Sequence, residues 1–399
     1  MPHPRSSLVT VLLTLAVALG PMSTDFYLPS LPALVGYFAT DVARVQLTLS
    51  VFLVGFAVGQ LFYGPLSDRF GRRPVMLAGV AIFTLASIVC MLATSIEMLI
   101  AARLVQAIGA CAGPVLGRAV VRDVYGREGA ARMLSLIGAA MALAPLVGPV
   151  IAGYLIVAFG WQSSFLVLTL YGVLILFGVF GAMGETNPHI GETTSVGQML
   201  RNYRAFLHSR EWLGYVLCNS AAYAGLFAFI SGSSYIFIDL LGLAPHLFGL
   251  CFSVMVAGYI GGTMLSARVV LRLGIERMVM TGALLCASAG LAMAGLSFAG
   301  IETVWSVLAP MVLYSAGVGL VMPNSMAGAI GPFPTMAGAA SALLGFIQMT
   351  VAALVGIGVG AAFDGTARAM AVTIALSGIA AIVAYRLMVR GSEEEATGG

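Results

Sequence analysis

The chain contains no lysine; all 19 of its basic residues are arginine. A Walker A loop, whose lysine reaches the nucleotide phosphates, is therefore excluded within it, as is a Schiff base to retinal or pyridoxal phosphate. The composition, rich in Ala, Gly, Val and Arg, matches a GC-rich coding bias, which accounts for the missing lysine without affecting that exclusion. Charge of any kind is scarce. Only 9% of the 399 residues are charged against 60% apolar, a balance that would leave a soluble globule with a surface it could not solvate. The five cysteines, Cys90, Cys111, Cys218, Cys251 and Cys286, lie inside apolar runs with no CxxC pair among them, and read as small packing residues. The four histidines, His3, His189, His208 and His246, fall outside or at the edges of those runs, so no helix-borne pair for zinc or haem is in view. No metal, nucleotide, organic cofactor or nucleic-acid partner is expected.

What the sequence has in quantity is long apolar runs. Several exceed the roughly 20 residues needed to cross about 30 Å of hydrocarbon, and backbone hydrogen bonding in lipid then demands helices. The alternation in pieces of about ten residues that marks an outer-membrane barrel does not occur. The N-terminal stretch MPHPRSSLVTVLLTLAVALG has the flavour of a signal peptide, but it continues through Pro21 without a small-x-small cleavage pattern and reads as the first span. With it the spans number twelve, at about 8–36, 42–66, 75–94, 97–121, 132–158, 165–184, 211–239, 248–271, 278–298, 304–327, 339–362 and 367–389. The arginines gather on one set of loops, and the other set holds only Arg44 and Arg368. By the positive-inside rule both termini are cytoplasmic, as an even number of spans requires. The expected location is a bacterial inner membrane.

The longest polar interruption divides the spans six and six. This gives an N-terminal bundle over 1–184, a cytoplasmic linker with an amphipathic stretch over 185–210, a C-terminal bundle over 211–390 and a disordered tail over 391–399. Across the linker, DRFGRRPVML at 68–77 recurs in position as LRLGIERMVM at 271–280. The match is confined to Arg-x-Gly and general hydrophobicity, but with equal span counts it suggests two related bundles facing a central cavity.

Asp25 is the sharpest candidate for chemistry, because an acid in a spanning helix is costly and rare unless it works. It lies roughly 25 Å along the first span at about 1.5 Å per residue, and can take up and release a proton there. The alternative is a residue at the membrane interface capping the helix break before Leu28–Pro32. Arg103, roughly 9 Å below the outer end of the fourth span by the same rise, needs a counter-charge or carbonyls, and Asp25 is the nearest acid by depth. Its alternative is an arginine snorkelling to the headgroups. Tyr27, Asn219, Tyr223 and Gln348, with Tyr235 and Asn324, are polar or aromatic positions within spans, open to a planar lipophilic ligand or to interhelical hydrogen bonds. Asp239 is a possible second acid whose position better suits an exposed helix end. Pro145, Gly148, Pro149 and Gly153 loosen the fifth span or allow close packing.

The segment GPLSDRFGRRPVML at 64–77 resembles the loop signature of the major facilitator superfamily, with Gly64, Leu66, Asp68, Arg69, Gly71, Arg72 and Arg73 in register. RLVQAIGACAGPVLGRAVVRD from Arg103 resembles its fourth-span motif. APLVGPVIAGYL at 144–155 resembles the fifth-span antiporter motif, with Ala152 where a glycine is usual. TDFYLPSLP at 24–32, QLTLSVFLVGFAVGQLFYGPLSDRFGRRP at 46–74 and FPTMAGAASALLG at 333–345 are similar to the Bcr/CflA drug-resistance group. The resemblance implies an all-α, twelve-helix, two-bundle alternating-access fold and drug/proton antiport, with bicyclomycin or phenicols among the family's substrates. It implies a proton-coupling role for Asp25 and Arg103, and a cytoplasmic latch of Gly64, Asp68, Arg69, Gly71, Arg72 and Arg73 to which Asp123 contributes. The expectation is a monomeric, non-enzymatic exporter of small lipophilic drugs, run by the proton gradient. The alternative is an exporter or facilitator of a small metabolite such as an amino acid.

Overall fold

The computed structural model describes residues 7–141, 143–187, 190–191, 196–333 and 336–390. The tail at 391–399, His3 and His189 lie outside them. Among the described residues the chain is helical throughout and separates into two compact units, one of residues 1–194 with 244–250, the other of 195–243 with 251–399.

The first unit begins with α1 (Ser7–Val17), α2 (Leu19–Asp25), a short 3-10 turn (Leu28–Ser30) and α3 (Leu31–Tyr37). The segments Leu8–Val17 and Leu19–Tyr37 meet at a bend of 48°. Pro21 has no N–H for the Val17 carbonyl, and its ring crowds the preceding turn, which is why the helix breaks there. Pro29 and Pro32 withhold the corresponding donors from Asp25 and Leu28, so a second irregularity falls directly after Asp25. Next come α4 (Val42–Phe70), α5 (Arg72–Met91), α6 (Ile96–Met141), α7 (Leu143–Phe159) and α8 (Gln162–Ala182). Small residues let these helices approach closely: a Cβ on Gly113 of α6 would run into the Ala16 carbonyl of α1.

The second unit holds α9 (Val196–His208), α10 (Arg210–Ser234), most of α11 (Pro245–Leu273), α12 (Ile275–Phe298), α13 (Val304–Ile330), α14 (Ala337–Ala361) and α15 (Arg368–Ala384). Both α10 and α15 run on into a π-helical turn, Tyr235–Leu240 and Tyr385–Arg390. Asp41 caps α4 by accepting from the Arg44 amide at 2.8 Å, and Thr303 with Ser306 forms a reciprocal capping box at α13.

Ten helices among the described residues are long and apolar enough to cross a membrane, eleven if the bent pair counts as one span. The remaining apolar helix, α7, has 17 residues. It is shorter than the span expected at 132–158 because α6 does not end near 121. The charged stretch RDVYGREGAA carries no proline, so the helix continues past the apolar run to Met141, and a new one starts at Leu143.

The faint repeat between the halves has a geometric counterpart. Gly71 is the single residue joining α4 to α5, with φ 97° and ψ 154°, and Gly274 joins α11 to α12 with φ 82° and ψ 160°. That backbone region is essentially closed to residues with a Cβ.

Candidate functional site

Arg103, on α6, is fully enclosed within the first unit. Its Nη1 donates to the Ser23 carbonyl at 3.0 Å and to Gln106 Oε1 at 2.7 Å, and Nε reaches the Thr48 carbonyl at 3.4 Å. Its guanidinium carbon lies 4.3 Å from the ring centre of Phe52, 4.7 Å from Tyr27 and 6.0 Å from Phe165. Gln106 is held in turn by donating to Ser87 Oγ at 2.7 Å. The cation is thus solvated by carbonyls, one amide and three aromatic faces. The snorkelling alternative does not hold. Nor does pairing with Asp25: among the described residues no ion pair joins the two, because the broken helix presents the Ser23 carbonyl, not the Asp25 carboxylate, to the guanidinium.

Asp25 ends α2 and is 5% exposed. Its Oδ1 accepts from Thr24 Oγ1 at 3.3 Å, while Oδ2 is buried without a hydrogen-bond partner. A Cβ on Gly148 would come within 3.2 Å of the Phe26 ring and 3.6 Å of the Asp25 Cβ, so the glycine of the fifth-span motif seats α7 directly on the acid. Pro149 and Gly153 of that motif are buried as well, and Pro145 is half-buried.

Tyr27 is fully enclosed, and its hydroxyl shares a 2.8 Å hydrogen bond with Thr48; it is a wall of the arginine cage. In the second unit, Asn219 Nδ2 donates to Gln348 Oε1 at 2.9 Å, both side chains being buried. Asn324 Nδ2 donates to Ser266 Oγ at 2.7 Å, and Tyr235 is enclosed. Tyr27, Asn219, Gln348 and Asn324 thus make hydrogen bonds between helices. Tyr223 is half-buried, and Asp239 lies exposed in the π-helical turn.

The loop cluster forms a second centre. Arg72 Nη1 donates to Asp68 Oδ1 at 2.6 Å and to Ser67 Oγ at 2.5 Å, and Nε donates to Asp123 Oδ2 at 3.0 Å. Ser67 Oγ in turn donates a hydrogen bond to the Gly64 carbonyl at 2.8 Å. Arg73 Nη2 donates to the Phe180 carbonyl at 2.7 Å, whereas Arg69 lies over the Phe70 ring at 5.2 Å, outside the lock. Arg72 therefore ties α4 to α6 from the first turn of α5.

Glu185, just past α8, is the residue sequence reasoning passed over. Its Oε1 accepts from the backbone amide of Arg72 at 2.9 Å and its Oε2 from that of Arg73 at 3.1 Å. Burial pushes its carboxyl up, yet the backbone N–H groups of Asn187, Arg72, Arg73 and Thr186 outweigh that and hold it below the ordinary 4.5. A Cβ on Gly71 would strike its Oε2, so the glycine is needed for this contact as well as for its φ. The signal available was position: it is the first acid after the sixth span, where a carboxylate can cap a helix N-terminus.

A profile of the Major Facilitator Superfamily matches residues 13–357. The chain belongs to this superfamily. Its relatives include the bicyclomycin resistance protein homolog of Haemophilus influenzae, 30% identical over 389 residues and covering 96% of each chain. Another is multidrug resistance protein D of Escherichia coli, 31% identical over 348 residues and 87% of each. Among solved structures, a D-xylose–proton symporter aligns with a TM-score of 0.74 at 16% identity over 96% of each chain. An inward-facing bacterial homolog of the human lysosomal transporter Spinster aligns at 0.73 with 15% identity, covering 98% of this chain and 96% of that one. Those two share the fold, and the relatives bear out the drug-resistance resemblance of the loop and span motifs. The chain is a multi-pass membrane transporter of a superfamily whose members are not enzymes.

Proposed function

We propose that the protein is a drug:proton antiporter that exports small lipophilic compounds across a bacterial inner membrane. It works as a monomer of twelve spans in two six-helix bundles, with both termini cytoplasmic, no cofactor or nucleotide, and alternating access. The observation that carries this reading is Asp25: a membrane-buried carboxylate whose Oδ2 has no hydrogen-bond partner, at a helix break and against the antiporter-motif glycine. A group in that setting has a free oxygen for a proton and a flexible backbone to respond to it. The naming of relatives for bicyclomycin and multidrug resistance supports the substrate class.

Arg103 acts here without a carboxylate partner. Its positive charge, fixed beside Ser23, sets the electrostatic background against which Asp25 gains and loses its proton, while the Arg72 lock holds the cytoplasmic end of the first unit. One proton entering supplies about 2.3 kcal/mol per 100 mV of membrane potential. The test is drug-triggered proton release from proteoliposomes over a panel of amphipathic antibiotics, wild type beside Asp25→Asn. Release by the wild type and none by the variant is the expected result. Labelled drug crossing without proton movement in either protein would make the chain a facilitator and Asp25 a structural residue.

A further inference from the structure

The linker helix α9 is amphipathic in a way the transport cycle does not use. Phe206 near its end is fully enclosed: its ring lies 5.5 Å from that of Trp212 at an interplanar angle of 22°, and 5.0 Å from Phe333, edge-on at 78°. This aromatic clasp seats α9 where α10 begins, at the boundary between the apolar span and water. The neighbouring side chains do not share that burial. Leu207 is 48% exposed, and Arg204 is exposed one turn before it. Residues three apart on a helix are neighbours, so the leucine and the guanidinium present a joint apolar and cationic surface.

A second element completes that surface. Arg210 Nη2 donates to the Leu387 carbonyl at 3.1 Å, which joins the start of α10 to the π-helical turn at the end of the last helix. There Leu387 is 63% exposed and Arg386 beside it is exposed. The pattern of exposed leucine next to exposed arginine thus occurs twice, once at the end of α9 and once in the turn that Arg210, at the start of α10, holds. Glu211 is the only acid within residues 196–212.

We propose that this corner of the second unit binds the headgroup of an anionic phospholipid in the cytoplasmic leaflet. Leu207 and Leu387 enter the acyl region, and Arg204 and Arg386 hold the phosphate. Guanidinium forks match phosphate oxygens in pairs, and in a protein without lysine arginine is the one permanently cationic side chain. Juxtamembrane arginines also draw anionic lipid electrostatically. A soluble acidic partner would have no use for two leucines turned outward at the membrane boundary. The bound lipid keeps α9 against α10 and α14. The named leaflet rests on the orientation proposed above; the headgroup preference does not.

The first measurement is native mass spectrometry of the full-length protein offered phosphatidylglycerol and phosphatidylcholine with matched acyl chains. Retention of the anionic lipid at least fivefold over the zwitterionic one is expected, and equal retention overturns the proposal. The second is hydrogen exchange at 196–208 in nanodiscs of each lipid. The anionic lipid slows it at least threefold in the wild type, has no effect in Arg204→Gln/Arg386→Gln, and keeps a reduced effect in the corresponding double lysine variant. A double glutamine variant that responds as the wild type does removes these arginines from the site. Neither readout requires transport, so the proposal stands or falls separately from efflux.

Discussion

The guanidinium carbon of Arg103 lies 4.3 Å from the centre of the Phe52 ring, closer than to any of the other aromatic faces around it. A buried cation with no carboxylate beside it depends on such faces. Replacing Phe52 by leucine keeps most of the volume and removes the quadrupole, at an expected cost of about 1–2 kcal/mol. Phe165→Leu, at 6.0 Å, should cost less. Thermal unfolding of the two variants in detergent gives the comparison, and equal shifts would mean that the rings serve only to fill space.

The two acids on Arg72 differ in burial: the Asp123 side chain is 12% exposed and that of Asp68 37%. Asp123→Asn should weaken the lock by about 1.5–3 kcal/mol, as expected for a sheltered hydrogen bond between charged groups. Asp68→Asn should cost less than about 1 kcal/mol, in the range of exposed pairs. Both should shift the balance of conformations, read from spin-label distances on the cytoplasmic side, without changing drug affinity. Matching losses of affinity would point away from a lock.

Glu185 is held below its ordinary 4.5, so its contribution is complete above that value and disappears as pH falls through the depressed one. Protection of the Arg72 and Arg73 amides, taken relative to their intrinsic exchange rate at each pH, should hold from neutral pH down to about 5 and fall in stronger acid. Glu185→Gln sets an NH2 group against one of the amides that the carboxylate receives. It should quicken both exchanges at neutral pH and remove the acid-dependent step. A variant that keeps the wild-type profile would assign the step to another group.

Gly71 and Gly274 share a backbone conformation but not surroundings. Alanine at either should cost about 1–3 kcal/mol in strain. At Gly71 the new Cβ also meets Glu185 Oε2, whereas at Gly274 nothing lies within 4 Å. Gly71→Ala should therefore destabilise more than Gly274→Ala, and only the former should quicken exchange at the Arg72 amide. Equal behaviour in both measurements would remove Glu185 from the account.

Much of the architecture was legible because membrane helices announce themselves by length and hydropathy, and the Asp68–Arg73 loop by its dense charge. The repeat at Gly71 and Gly274 was visible as two shared letters and became convincing only when the φ angles were seen. Contacts between distant segments were not legible. Depth along a helix placed Asp25 and Arg103 at a common level, but depth says nothing of which way a side chain turns. The break at Pro21 rotated a carbonyl into the position where a carboxylate was expected. Glu185 escaped for a related reason, since its partners are backbone amides, which leave no trace in residue identity. The start of the fifth span was misplaced because a helix can outlast the apolar run that predicts it.

Arg103 and Asp123 stand on the same helix, about 30 Å apart at 1.5 Å per residue. One end of that stretch grips a caged cation and the other grips the loop lock. A turn of α6 about its own axis therefore cannot loosen one grip and leave the other undisturbed. The helix is a driveshaft, carrying torque between the level of the caged cation and the level of the loop lock.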